Sequence, residues 1–126
     1  MTFNAAAAYQ GTKVNTASPA ELTLMLYEGA IKFCNKAIYA MENGDVQSRN
    51  INSQKAQKII TQLRLTLDFK YPIANDFDRV YEYINRRLVE ANIKADIEIA
   101  EDALRYIREM RDTWKEVMRK NKLYVQ

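Results

Sequence analysis

Asn15-Thr-Ala-Ser-Pro-Ala-Glu-Leu-Thr-Leu-Met-Leu-Tyr-Glu-Gly-Ala-Ile-Lys-Phe33 is a helix start written in full. Ser18 can accept from the backbone N–H of Glu21, and the Glu21 carboxylate can reach back to the N–H of Ser18, which makes a capping box. Pro19 takes the first helical position, where its missing N–H costs nothing. An apolar run follows at once. Working outward, the 126 residues hold three Gly and two Pro, and 48% of them are hydrophobic. That length supports a single core, and the helix-favouring composition, with no alternation of apolar and polar residues, predicts an all-α fold.

The punctuation divides the chain into four long amphipathic segments. The first helix is expected from about Pro19 to Asn43, with Gly44 taking the left-handed turn after it. Asp45 caps a second helix that continues to about Lys70, and Tyr71-Pro72 breaks it. The third runs from Ile73 or Asn75 to Ala91, with Asn92 suited to a left-handed turn. The fourth runs from about Ala95 to Lys120. Short loops force neighbours to lie antiparallel, so the expected fold is an antiparallel up-down-up-down four-helix bundle over residues 18–126. Residues 1–17 carry one charge, Lys13, and no helical stripe. They are expected to be a mobile or loosely docked N-terminal arm.

Placing residues at 100° intervals gives each helix a core face. These faces are Leu22, Leu26, Ala30, Phe33, Ala37 and Met41; then Ala56, Ile59, Ile60, Leu63 and Leu67; then Phe77, Val80, Tyr81, Ile84, Leu88 and Ala91; and last Ala100, Leu104, Ile107, Trp114 and Met118. Apolar residues are left over. The first helix has a second seam, Leu24, Ile31 and Ile38. The second carries Ile51, Leu65 and Phe69 almost opposite its core face, with Lys58 and Gln62 in the same row. The fourth has Ile99, Tyr106, Met110 and Val117 along one edge. Such a surplus either packs under the N-terminal arm and against other helices, or forms an exposed groove for an amphipathic partner.

Several chemistries are excluded or disfavoured. The chain has no His, which removes the commonest general base and the imidazole-paired nucleophiles. Cys34 is alone, so no intramolecular disulfide can form, and a small core residue is the better reading than a reactive thiol. No Gly-rich phosphate loop and no convergent acid, base and nucleophile set can be picked out, so an enzyme is not expected. No apolar run is long enough to span a membrane, and the N-terminus lacks the features of a signal peptide, so a cytoplasmic location is expected. Nucleic-acid binding would rest on a pI near 9.0 and the basic residues Lys115, Arg119, Lys120 and Lys122. A net charge of +3 with no basic stripe is too little for a strong phosphate footprint, and the helix dipole explains a basic C-terminal turn. On the third helix, Glu82, Arg86 and Glu90 are spaced as a solvated ion-pair row.

Beyond its first helix, Ala56-Gln-Lys-Ile-Ile-Thr-Gln-Leu63, Leu65-Thr-Leu-Asp68, Tyr81 through Asp96, and Leu104 through Glu116 follow in a recognisable order. With these loops the chain resembles the flagellin-specific export chaperones of bacterial flagella, the FliS family. It departs at Tyr71-Pro-Ile-Ala74, where relatives often carry a Gly-rich connection. The resemblance implies a cytoplasmic chaperone that binds the C-terminal segment of newly made flagellin and prevents premature polymerisation. It would then deliver the client to the flagellar type III export apparatus, without enzyme activity, cofactor or metal. With that role, Ile51, Leu65, Phe69, Ile99, Tyr106 and Met110 are the expected client contacts. Tyr9 and Val14 match the apolar positions of an arm that caps the groove until the client arrives. A homodimer joined through the surplus seams is the structural alternative.

Overall fold

Caps decide where the helices begin. In a computed structural model, which describes residues 17–121, helix α1 spans Pro19–Glu42. Its capping box forms in both directions: Glu21 donates its N–H to Ser18 Oγ at 3.2 Å, and Ser18 donates its N–H to Glu21 Oε1 at 3.0 Å. Helix α2 spans Val46–Leu65, α3 spans Ile73–Lys94 and α4 spans Ile97–Lys120. The packed pairs are α1 with α2, α2 with α3, α3 with α4, and α4 with α1, the closed ring of an up-down-up-down bundle. Among the described residues there is no strand.

The α1–α2 and α3–α4 hairpins close with the same device. After α1, Gly44 lies at φ 67°, and the Asp45 N–H donates to Ala40 O at 2.9 Å. The Asp45 carboxylate then accepts from Ser48 N–H at 3.0 Å and caps α2. After α3, Ala95 lies at φ 51°, Asp96 N–H donates to Ala91 O at 3.0 Å, and Asp96 Oδ1 accepts from Ile99 N–H at 3.1 Å. In each turn one aspartate ends a helix with its backbone and starts the next with its side chain. The left-handed residue is therefore Ala95, not Asn92. Asn92 stays helical and ties α3 to α2, accepting from Arg49 Nε at 3.2 Å and donating to Asn50 Oδ1 at 2.9 Å. The fourth helix accordingly starts at Ile97 rather than Ala95.

Helix α2 ends five residues earlier than the sequence pattern suggested. Thr66 Oγ1 turns back to Leu63 O at 2.7 Å, and Asp68 Oδ1 accepts from Lys70 N–H at 3.1 Å, a local turn that competes with helix. Phe69 therefore sits in the α2–α3 connection and not on a helix face. Helix α3 starts after Pro72 with no side-chain cap.

The predicted core faces meet in one cluster, from Leu26, Ala30 and Phe33 of α1 to Leu104 and Ile107 of α4. Part of the surplus is consumed there as well. Ile31 and Ile38 of the second α1 seam are buried, and Leu24 is half-buried. The reason is that a bundle helix packs on two neighbours, so a second seam can face the second neighbour. The reverse also occurs: Leu22, Leu67, Phe77 and Trp114, all on predicted core faces, are only partly covered.

Polar ties fix the helices against each other. Arg64 of α2 holds Asp78 of α3 through two bonds, 2.7 and 3.2 Å. Asp102 of α4 accepts from Tyr83 Oη at 2.6 Å and Arg87 Nε at 3.0 Å of α3, and from Arg105 at 2.8 Å. The expected Glu82–Arg86–Glu90 row is not what forms. Glu90 pairs with Arg87 and Lys94, while the Arg86 guanidinium lies over the Tyr83 ring at 5.4 Å.

Candidate functional site

The partly covered core residues share one place. At the end of the bundle where α1 and α3 begin and α2 and α4 finish, the four apolar stripes run out with no further layer among the described residues to close them. The result is an open cleft of about 1060 Å³. Leu22, Leu26 and Tyr27 of α1 form one wall. Leu67 and the end of α2 face them, Ile73, Phe77 and Tyr81 come from α3, and Trp114 and Val117 from α4. Pro19, the first residue of α1, is also in the lining. Trp114 is anchored by its Nε1–H, which donates to Ala20 O at 3.0 Å. Phe77 packs edge-on against Tyr81 with ring centroids 6.3 Å apart.

Most polar groups in the lining are already engaged locally. Thr23 Oγ1 donates to Pro19 O, Thr66 Oγ1 to Leu63 O, and Asn121 Nδ2 to Val117 O. The Tyr27 and Tyr81 hydroxyls, contributed by α1 and α3, bond to each other in the buried interior of the cleft. Burial raises the pKa of both phenols, that of Tyr81 to about 12, so both stay protonated at neutral pH. The cleft is therefore a mainly apolar surface, with the buried Tyr27–Tyr81 pair within it and the Asp68 carboxylate, paired with Lys70, at its edge.

The sequence-predicted contacts are distributed unevenly around it. Leu65 is 80% exposed at the last position of α2, and Phe69 is 54% exposed in the turn that follows. They bracket Thr66, Leu67 and Asp68, which line the cleft, and exposed Tyr71 and Ile73 extend the same apolar rim. Ile51 is exposed on α2 but lies 14 residues before Leu65, about 21 Å along the helix. Ile99 and Tyr106 of α4 are partly buried against the core, and the Tyr106 ring sits edge-on to Tyr83 at 5.1 Å. Met110 is buried within the core cluster, so its side chain presents little surface to a partner. Tyr9 and Val14 lie outside the described residues.

Thus the sequence reading reached the rim through Leu65 and Phe69 but missed the cleft itself. Leu22, Phe77 and Trp114 carry the right helical period for a core, and the period holds no information about where a stripe stops being covered. The available signal was axial: these residues fall within about two turns of a helix end, at the same end of an antiparallel bundle. A second, shallower cleft of about 610 Å³ lies between α1 and α4. Ile38 and Leu104 sit there among Glu101, Arg105, Arg108 and Glu109, a setting too charged to match the first.

Comparison with known proteins finds relatives over most of the chain. Residues 2–121 match the family model for the flagellar protein FliS. The flagellar secretion chaperone FliS of Bacillus subtilis is 44% identical over 111 residues, covering 88% of this chain and 84% of the relative. That of Salmonella typhimurium is 32% identical, covering 82% and 79%. The Escherichia coli chaperone of the same name is 31% identical, covering 82% and 78%. The chain belongs to the FliS family of flagellar export chaperones.

Proposed function

We propose that the cleft at the α2–α3 end of the bundle, with its rim at Leu65, Phe69, Tyr71 and Ile73, holds the C-terminal segment of flagellin in the cytoplasm. Binding keeps that segment from polymerising and presents it to the flagellar type III export apparatus. The role is one of binding, not catalysis. The observation that carries the reading is the cleft: an apolar surface at the upper limit of the ~300–1,000 Å³ typical of small-molecule sites, open at its rim and extended by exposed side chains. A chain that is amphipathic and unfolded until it assembles can bury its apolar side chains there. Ordering it costs entropy, which limits affinity per unit area and favours release at the export gate. No described helix is long and apolar enough to cross a membrane.

Of the expected contacts, Leu65 and Phe69 are the strongest, and Ile51, Ile99 and Tyr106 would serve only a client that continues along α2 or α4. Tyr9 and Val14 would occupy the cleft in the absence of client and leave on binding. Removing residues 1–12 should then raise affinity for a flagellin C-terminal peptide, and unchanged affinity would remove the capping role. The binding reading is tested by Leu65→Asp with Phe69→Asp. These exposed positions should leave helicity and melting intact while weakening peptide binding at least tenfold. Full affinity in a folded double variant would place the client elsewhere.

A further inference from the structure

We propose that the outer face of the α1–α2 pair is a docking surface for an acidic amphipathic helix of a second protein, taken up beside the client and outside the cleft.

Charge is spread unevenly over the helices. Helix α2 has no Asp or Glu, while it carries Arg49, Lys55, Lys58 and Arg64. Arg49 and Arg64 turn toward α3, where they bond Asn92 and Asp78. Lys55 turns the other way. Its ammonium lies 5.2 Å from the centroid of the Phe33 ring of α1, and Lys32 and Lys36 approach the same ring at 5.6 and 5.9 Å. Lys58 follows one turn after Lys55, and all four lysines are exposed. The carboxylates of α1 and of the turn after it point to other tasks. Glu21 and Asp45 cap helices, Glu28 faces Arg111 of α4 at 3.9 Å, and Glu42 lines the cleft between α1 and α4. The face is basic because its helices place their acids elsewhere.

Apolar side chains frame the lysines. Met25, Lys32 and Tyr39 recur every seven residues on α1, as do Ile51, Lys58 and Leu65 on α2. Seven residues make nearly two turns, so each triplet forms a row along its helix. The Lys55–Phe33 contact sets the antiparallel register. It brings Tyr39 level with Ile51, Lys32 with Lys58, and Met25 with Leu65, to within about one turn. Tyr39, Ile51 and Leu65 are exposed, and Leu65 stands where this face meets the cleft rim. The surface thus reads apolar, basic, apolar over ~21 Å, the length of ~15 helical residues. A helix with apolar residues in its end turns and carboxylates in its middle turns matches that order.

Other occupants match it less well. Residues 1–16 and 122–126 contain no Asp or Glu, so the ends of this chain offer the lysines nothing. A second copy packed through the same face would set lysines against lysines. A nucleic acid would pair its phosphates with the lysines and leave Ile51 and Leu65 unmatched. The client's cleft is mainly apolar, a different chemistry from four clustered cations.

The probe is a synthetic helix of about 18 residues, with Leu in its first and last turns and Glu on the same face of its middle turns. A control peptide carries Lys in place of each Glu. Titrated against the full chain, the Glu peptide should bind one to one and weaken about tenfold as salt is raised, while the Lys peptide should not bind. Lys36→Glu with Lys55→Glu should weaken the Glu peptide by about tenfold or more, and leave affinity for a flagellin C-terminal peptide within about twofold. The milder pair Lys36→Gln with Lys55→Gln should show the same loss in smaller measure, and decides the matter if the charge reversal does not fold. Saturating flagellin peptide should leave the Glu peptide bound. Absence of Glu-peptide binding, binding indifferent to the lysine substitutions, or displacement by the flagellin peptide overturns the proposal. So does tighter binding of a single-stranded oligonucleotide that the same substitutions abolish. The cleft reading is judged separately, by the Leu65 and Phe69 double variant.

Discussion

Ala95 holds a backbone conformation that side chains resist. Its φ of 51° and ψ of 43° lie in the left-handed region, where Cβ crowds the following carbonyl at a cost of about 1–2 kcal/mol. At the matching turn after α1, Gly44 fills the same role with nothing near the position of a Cβ. Ala95→Gly should therefore raise stability by about 0.5–1 kcal/mol, part of the relief being returned as chain entropy. Urea denaturation checks this, and a loss of stability would mean that Ala95 contributes packing the backbone argument ignores. Two of the carboxylates with lowered pKa values, Asp78 and Asp102, tie helices together and add acid sensitivity. The Arg64 hydrogen bonds hold the pKa of Asp78 below the usual Asp value of 3.8; at Asp102 the Tyr83 hydroxyl does so first, with Arg105 next. Because the folded values are depressed, the stability they add is present above about pH 4 and lost as pH falls through the folded values. Asp78→Asn with Asp102→Asn should flatten the decline of the urea midpoint below pH 4; an unchanged slope would assign acid sensitivity to other groups. Both ties are near the surface, so the effect is modest.

The helices show which local signals could be read and which could not. The α1 start was legible because Ser18, Pro19 and Glu21 form a box within four residues. The α1–α2 turn was legible for a similar reason, with Gly44 and Asp45 adjacent. The α2 end was not: Leu63 and Leu67 keep the helical spacing, while the local Thr66 and Asp68 hydrogen bonds that stop the helix compete with it on nearly equal terms. The α3 end was misplaced because Asn tolerates the left-handed turn better than Ala. Yet the hydrogen bonds of Asn92 to Arg49 and Asn50 hold it in the helix and pass the turn to Ala95. The surplus residues sort by neighbour number. Met110, read as a client contact, is part of the core. Met110→Ala should destabilise by about 2–5 kcal/mol, whereas Leu65→Ala at an exposed helix end should stay within about 0.5 kcal/mol. Thermal melts of the pair check this. A mild Met110→Ala alongside a costly Leu65→Ala would reverse the assignment of core and rim.

For the whole molecule, the larger apolar cleft lies at one end, rimmed by Leu65, Phe69, Tyr71 and Ile73, while exposed Tyr39, Val46, Ile51, Val89 and Ile93 lie toward the other end. Most of the side seam of α1 is consumed because each helix meets two others; at the end, the stripes of all four finish together and no described element crosses over them. Stripe analysis measures angle around a helix axis and has no coordinate along it, which is why Leu22, Phe77 and Trp114 looked like ordinary core. The four-helix architecture was readable from period and caps, while the cleft needed the antiparallel assembly to bring four helix ends together. That geometry supplies its own reporter, since Trp114 is the single tryptophan of the chain and lines the cleft. Titrating a tryptophan-free flagellin C-terminal peptide while recording Trp114 emission, with binding followed in parallel by calorimetry, is the most direct test. The account predicts a change in Trp114 emission that saturates with the calorimetric isotherm at one peptide per chain. Calorimetric binding with Trp114 emission unaltered throughout would contradict it.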